Sequence, residues 1–147
     1  MQRLLENVIN KAKNKSQATQ SIAPGHKEDG DLGLHLVYEG AVSAVDIVAI
    51  HGQGGHWNQS WTDCDTGFFW LADILPSTLP NSRILSYGYQ STDAVPTGSI
   101  AAALMYELAS MRNGNEGHPI IFLVHSFGGL MIKDVHAQFL VHHCIQM

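Results

Sequence analysis

From residue 32 onward, short runs of β-branched and aromatic residues alternate with longer stretches whose apolar residues recur at helical spacing. The short runs are "LGLHLVYEG", "VDIVAI" (45–50), "RILSYGY" and "IIFLV" (120–124). The first has Leu34, Leu36 and Tyr38 on one side. The 45–50 run is nearly all β-branched, as a strand covered on both faces should be. "GFFWLADIL" reads as a short helix stopped by Pro76. "TGSIAAALMYELASMRNGN" reads as a helix with Ser99 as N-cap and Asn113-Gly114 at its end. Gly128–His142 is the helix after the last strand, itself expected to be buried. Strand and helix in regular succession specify an α/β fold, a mainly parallel sheet with helices on both faces. Sites in such sheets lie beyond the carboxyl ends of the strands, where His51-Gly52 and His125-Ser126 both fall.

The chain has 147 residues, a single-domain length that buries roughly 70% of its unfolded surface. Its net charge of −5 is unevenly spread. Residues 1–27 hold five basic side chains and one acidic; residues 28–147 hold three basic and twelve acidic. The body therefore offers no clustered countercharge to phosphate, and nucleic acid is excluded as a partner. No run reaches the ~18 apolar residues a membrane helix needs. Cys64 and Cys144 make no disulfide framework, which favours a reducing, cytoplasmic setting.

Residues 1–30 form an amphipathic basic lead-in and linker ahead of a domain at 31–147. Leu4, Leu5, Val8, Ile9 and Ala12 share one helical face, with basic residues between them. A mitochondrial presequence has that pattern, but a plain lead-in helix or tail is the preferred reading.

"IIFLVHSFGGLMIK" carries the chemistry. A serine hydroxyl is a weak nucleophile and must stand where a base and a substrate can both reach it. A sharp strand-to-helix turn lifts Oγ clear of the backbone, at the cost of strained angles and close strand–helix packing. The positions two before and two after such a serine must be small. Gly128 meets the later requirement and Gly129 eases the helix past the sheet, while Val124 departs from the G-x-S-x-G pattern. His125 completes the turn. The helix start provides a positive dipole end, and the Phe127 N–H points to where an oxyanion would form. A second N–H must come from another loop, and "HGQGGHW" follows the 45–50 strand. Gln53 is the preferred donor, with Gly54 second.

Three blocks, "VDIVAIHGQGGHWNQSWTD", "WLADILPSTLPNSRILSYGY" and "PIIFLVHSFGGLMIK", resemble the α/β-hydrolase domain of the serine-active-site-containing proteins. Similar domains stand at the N-terminus of fungal NACHT- and ankyrin-repeat proteins. The resemblance covers residues 44–135, about the first half of that domain. It implies a partial α/β-hydrolase fold, truncated after the nucleophile-elbow helix, with 45–50 lying between 83–88 and 120–124. It also implies a lipase- or esterase-like serine hydrolase that needs no cofactor or metal and acts on an ester or lipid-like substrate. Ser126 matches the nucleophile. His51, Gly52, Gln53, Gly54 and Gly55 match the oxyanion loop, and Lys133 a basic residue on the elbow helix. Animal members are associated with mitochondria and the endoplasmic reticulum, an alternative to the cytoplasm. Protein partners, or downstream NTPase and repeat domains, are possible by the same likeness.

The triad is incomplete. In this fold the acid and the histidine follow the serine on later loops, and only 21 residues follow Ser126. His136, His142 and His143 ride the elbow helix, His125 cannot swing to Oγ, and His51 and His56 are remote substitutes. Asp73, Asp93 and Asp134 have no reason to meet a histidine. The nine histidines show no zinc-ligand spacing. The expectation is therefore a serine hydrolase domain in truncated or inactive form. The alternative is a non-catalytic interaction or regulatory module built on this fold. A chain ending here is also expected to expose 120–124 as an apolar, aggregation-prone edge strand.

Overall fold

A computed structural model describes residues 31–90, 95–114 and 117–145, with side chains through Ala137. The lead-in at 1–30, Asp93 and the side chains of His142, His143 and Cys144 lie outside the described residues.

Four strands, β1 (Gly33–Glu39), β2 (Val45–Ile50), β3 (Ser82–Gly88) and β4 (Ile120–Val124), form one sheet in the order β1-β3-β2-β4. β2 is parallel to both neighbours and β1 is antiparallel to β3. The chain is thus an α/β protein with a mixed sheet, and β2 lies between β3 and β4 as expected. Two long helices, which we number α3 (Thr97–Met111) and α4 (Phe127–Ile145), cover one face. Val48, Ile50, Leu85 and Tyr87 pack there against Ile100, Leu104, Met131 and Val135. The other face is covered by two single-turn helices, α1 (Trp70–Asp73) and α2 (Leu75–Thr78), and by a tight turn at Gln59–Trp61. Ile47, Ala49 and Ile84 meet Trp61 and Leu71 on that side. Among the described residues no helix is long and apolar enough to cross a membrane.

Four local expectations need correction. Pro76 does not stop a helix; it sits in the first turn of α2, where its missing N–H has no intrahelical acceptor to lose. Ser99 is not the N-cap of α3, which begins two residues earlier behind Pro96 and has no side-chain cap. Leu34, Leu36 and Tyr38 do not share one face: Leu34 packs on the side of Leu85 and Tyr87, whereas Tyr38 packs on the opposite side with Ile47 and Ile84. A register shift between Leu36 and Tyr38 breaks the alternation and turns Tyr38 to the other face, while Leu36 is 52% exposed. β4 is not fully buried: among the described residues it pairs with β2 alone, and Ile121 (52%) and Val124 (42%) are exposed.

Buried charge holds the sheet at the end where β2 begins. Asp46, with no exposed surface, accepts from Arg83 Nε at 2.8 Å and Nη2 at 3.0 Å, and from Arg112 Nη1 at 2.8 Å. Arg83 Nη1 also donates to Met111 O at 3.0 Å, tying β3 to the end of α3.

Candidate active site

At the opposite end, where β2 and β4 finish, the chain does something unusual. Ser126 has φ +50, the only positive φ at a non-glycine residue among the described residues. Such a conformation costs about 1–3 kcal/mol and persists only where the surroundings impose it. They do so here. The His125 N–H donates to Ile50 O at 3.1 Å, extending the β2–β4 pairing to the edge of the turn. Gly128 and Gly129 then donate to His125 O and Ser126 O, both at 3.0 Å, and start α4. Ser126 is exposed, and its hydroxyl makes no hydrogen bond within the described residues.

Gly128 lets α4 start against the end of β2. A Cβ there would stand 2.7 Å from Ile50 O and 2.9 Å from His51 O, closer than any side chain tolerates. Val124 is accommodated because β4 is an edge strand and its neighbour is a glycine. Even a Cβ at Gly129 would lie an ordinary 3.7 Å from Val124 Cγ2.

The glycine-rich loop comes to the serine at Gly52. A Cβ on Gly52 would lie 3.2 Å from Ser126 Cβ and 2.9 Å from His125 Nδ1. The structure therefore brings Ser126, His125, Phe127 and Gly52 together, with Gln53 next in the loop. The N–H groups of Gln53 and Phe127 make no hydrogen bonds within the described residues. Two unsatisfied donors and a helix N-terminus beside an exposed hydroxyl can stabilise negative charge on an oxygen bonded to that serine. Gly54, at φ +70, and Gly55 complete the turn of the loop, and Lys133 is an exposed residue on α4.

Among the described residues no histidine hydrogen-bonds the Ser126 hydroxyl. His51 is buried, with Nδ1 2.7 Å from Gly52 O and Nε2 facing the Tyr89 N–H at 3.4 Å. His56 Nε2 lies 3.0 Å from Asp31 Oδ1, and its Nδ1 accepts from Asn58 and Gln59 N–H at 3.1 and 3.3 Å. Both rings are held by these contacts. His136 is exposed on α4, and Asp73 accepts from the Phe69 N–H at 3.0 Å as a local cap.

Two features went unread in the sequence. Tyr89, just past β3, stacks flat on the His51 ring at 4.3 Å and donates its hydroxyl to His51 O at 2.7 Å. Burial pushes its hydroxyl pKa up to about 12. Tyr87 is likewise raised to about 12, by burial first and then by Glu107 and Tyr89. Beside Tyr89 opens an apolar cleft of about 290 Å³, lined among others by Tyr87, Val95, Ile100, Ala103 and Glu107. Aromatic residues closing a strand hint at a site wall, but only the fold shows which loop they touch.

Ser126→Gly should be more stable to urea than Ser126→Ala by about 1 kcal/mol, because glycine adopts positive φ freely. Equal midpoints would mean the turn is unstrained.

No protein-family model matches this chain, and neither a curated protein nor a solved structure matches it.

Proposed function

We propose that the described domain is the nucleophile- and oxyanion-bearing part of an α/β-hydrolase-type serine hydrolase acting on esters. One observation carries this reading: an exposed serine at φ +50, on a strand-to-helix turn packed against the loop after β2. The strand order supports it, with central β2 delivering the loop and neighbouring β4 delivering the serine. Ser126 Oγ is the nucleophile, and the Gln53 and Phe127 N–H groups stabilise the oxyanion. A non-catalytic interaction module is the second reading, favoured by the absence of any histidine bonded to Ser126 within the described residues.

Added imidazole tests the choice, because a site lacking only its base accepts one from solution. Oxyanion binding and substrate contacts alone sustain about 10³–10⁴-fold catalysis over water. Hydrolysis of p-nitrophenyl acetate should rise with imidazole, beyond the free base's own contribution, in the parent protein and not in Ser126→Ala. Identical rates for the two proteins at every imidazole concentration would leave the interaction module standing.

A further inference from the structure

The orientation of the proposed oxyanion donors has a visible cause. In a trans peptide the N–H points opposite to the C=O, so fixing a carbonyl fixes the amide across the same bond. His51 O accepts the Tyr89 hydroxyl at 2.7 Å, which sets the direction of the Gly52 N–H. Gly52 O accepts the Gly55 N–H at 3.1 Å and lies 2.7 Å from His51 Nδ1, which sets the direction of the Gln53 N–H. The His51 ring can donate from Nδ1 because its Nε2 faces another donor, the Tyr89 N–H at 3.4 Å. Tyr89 and His51 thus clasp each other through two polar contacts and a stack tilted only 5° from parallel. The same tyrosine ring lies 6.4 Å, centroid to centroid, from Phe127, whose N–H is the other proposed donor.

We infer that Tyr89 is a positioning residue: from the end of β3 it fixes the His51–Gly52 segment and so aims the Gln53 N–H for the proposed chemistry at Ser126. This inference rests on the serine-hydrolase reading. In the step it serves, Ser126 Oγ bonds to the ester carbonyl carbon, the Oγ proton passes to the added imidazole, and the C=O π pair moves onto oxygen. That oxygen then requires donors already in place. Tyr89 touches neither the ester nor Oγ; it acts through His51 and the loop. Its buried hydroxyl, with a pKa of about 12, remains a donor throughout the working range of such a reaction.

Tyr89→Phe keeps the ring and deletes one hydroxyl, so it separates aim from packing. In the full 147-residue chain with imidazole, kcat on p-nitrophenyl acetate should fall about tenfold, less than the 10²–10³ that losing a donor outright costs. KM should stay within twofold. His51→Ala should lose as much, while His51→Asn, which restores an N–H near Nδ1, should recover most of the rate. The ¹H–¹⁵N amide peaks of Gly52 and Gln53 should shift or broaden in Tyr89→Phe while α3 peaks stay in place. Unchanged kcat or unchanged Gly52 and Gln53 peaks overturns the inference. If the parent protein has no imidazole-dependent activity, the functional reading fails and the catalytic role falls with it. The amide spectra would then still show whether Tyr89 sets these peptides.

Discussion

Asp46→Ala should remove about 3–5 kcal/mol of folding stability, the cost of breaking a buried ion cluster by deleting one partner. Asp46 is wholly buried near the start of β2 and takes three charge-assisted hydrogen bonds from two arginines. Without it, Arg83 and Arg112 remain buried and face each other, with carbonyls such as Met111 O and His118 O as acceptors. A domain of this size holds about 5–15 kcal/mol in total, so the variant loses about a fifth of that margin at the least. Asp46→Asn should do little better, because its amide NH₂ turns a donor toward guanidinium donors. Urea unfolding measures both. A loss below 1 kcal/mol would mean that the two arginines find other partners. The cluster sits at the end of the sheet away from Ser126, so folded Asp46→Asn should keep the parent's Ser126 reactivity.

Gly128→Ala should destabilise by about 2–3 kcal/mol, toward the upper end of what overpacking costs. The added methyl would meet two main-chain oxygens, Ile50 O and His51 O, and neither can rotate away. The start of α4 must back off from β2, loosening the Met131 and Val135 packing and widening the gap between Ser126 and Gly52. Gly129→Ala is the matched control. Its methyl would meet only Val124 Cγ2 at 3.7 Å, and alanine favours a helix by up to about 1 kcal/mol over glycine. The account predicts opposite signs for these adjacent substitutions. Equal effects would show that α4 does not lie as close to β2 as described.

What could be read in the sequence was whatever local pattern dictates. A β-branched run ending in His-Ser, followed by two glycines, encodes its strand, its turn and its helix within a dozen residues. The nearly all β-branched run 45–50 likewise announced a covered strand. Asp46 within that run went unread, although a buried carboxylate needs a cationic partner because leaving it unpaired is costly. Its partners lie 37 and 66 residues away, and no local pattern points to them. Tyr89 was hidden for the same reason, since its partner His51 is 38 residues distant. The errors at Pro76, Ser99 and Tyr38 came from local rules with two outcomes. Proline both ends helices and begins them, a serine near a helix start need not cap it, and strict alternation fails where a strand bulges.

The central claim, that Ser126 is a nucleophile held beside oxyanion donors, is tested most directly by a fluorophosphonate probe with the labelled site mapped by mass spectrometry. With imidazole present, the account predicts one adduct, on Ser126, at a rate that rises with imidazole concentration and disappears in Ser126→Ala. A protein that stays unlabelled at Ser126, or that labels as readily at other exposed serines such as Ser60, would contradict it.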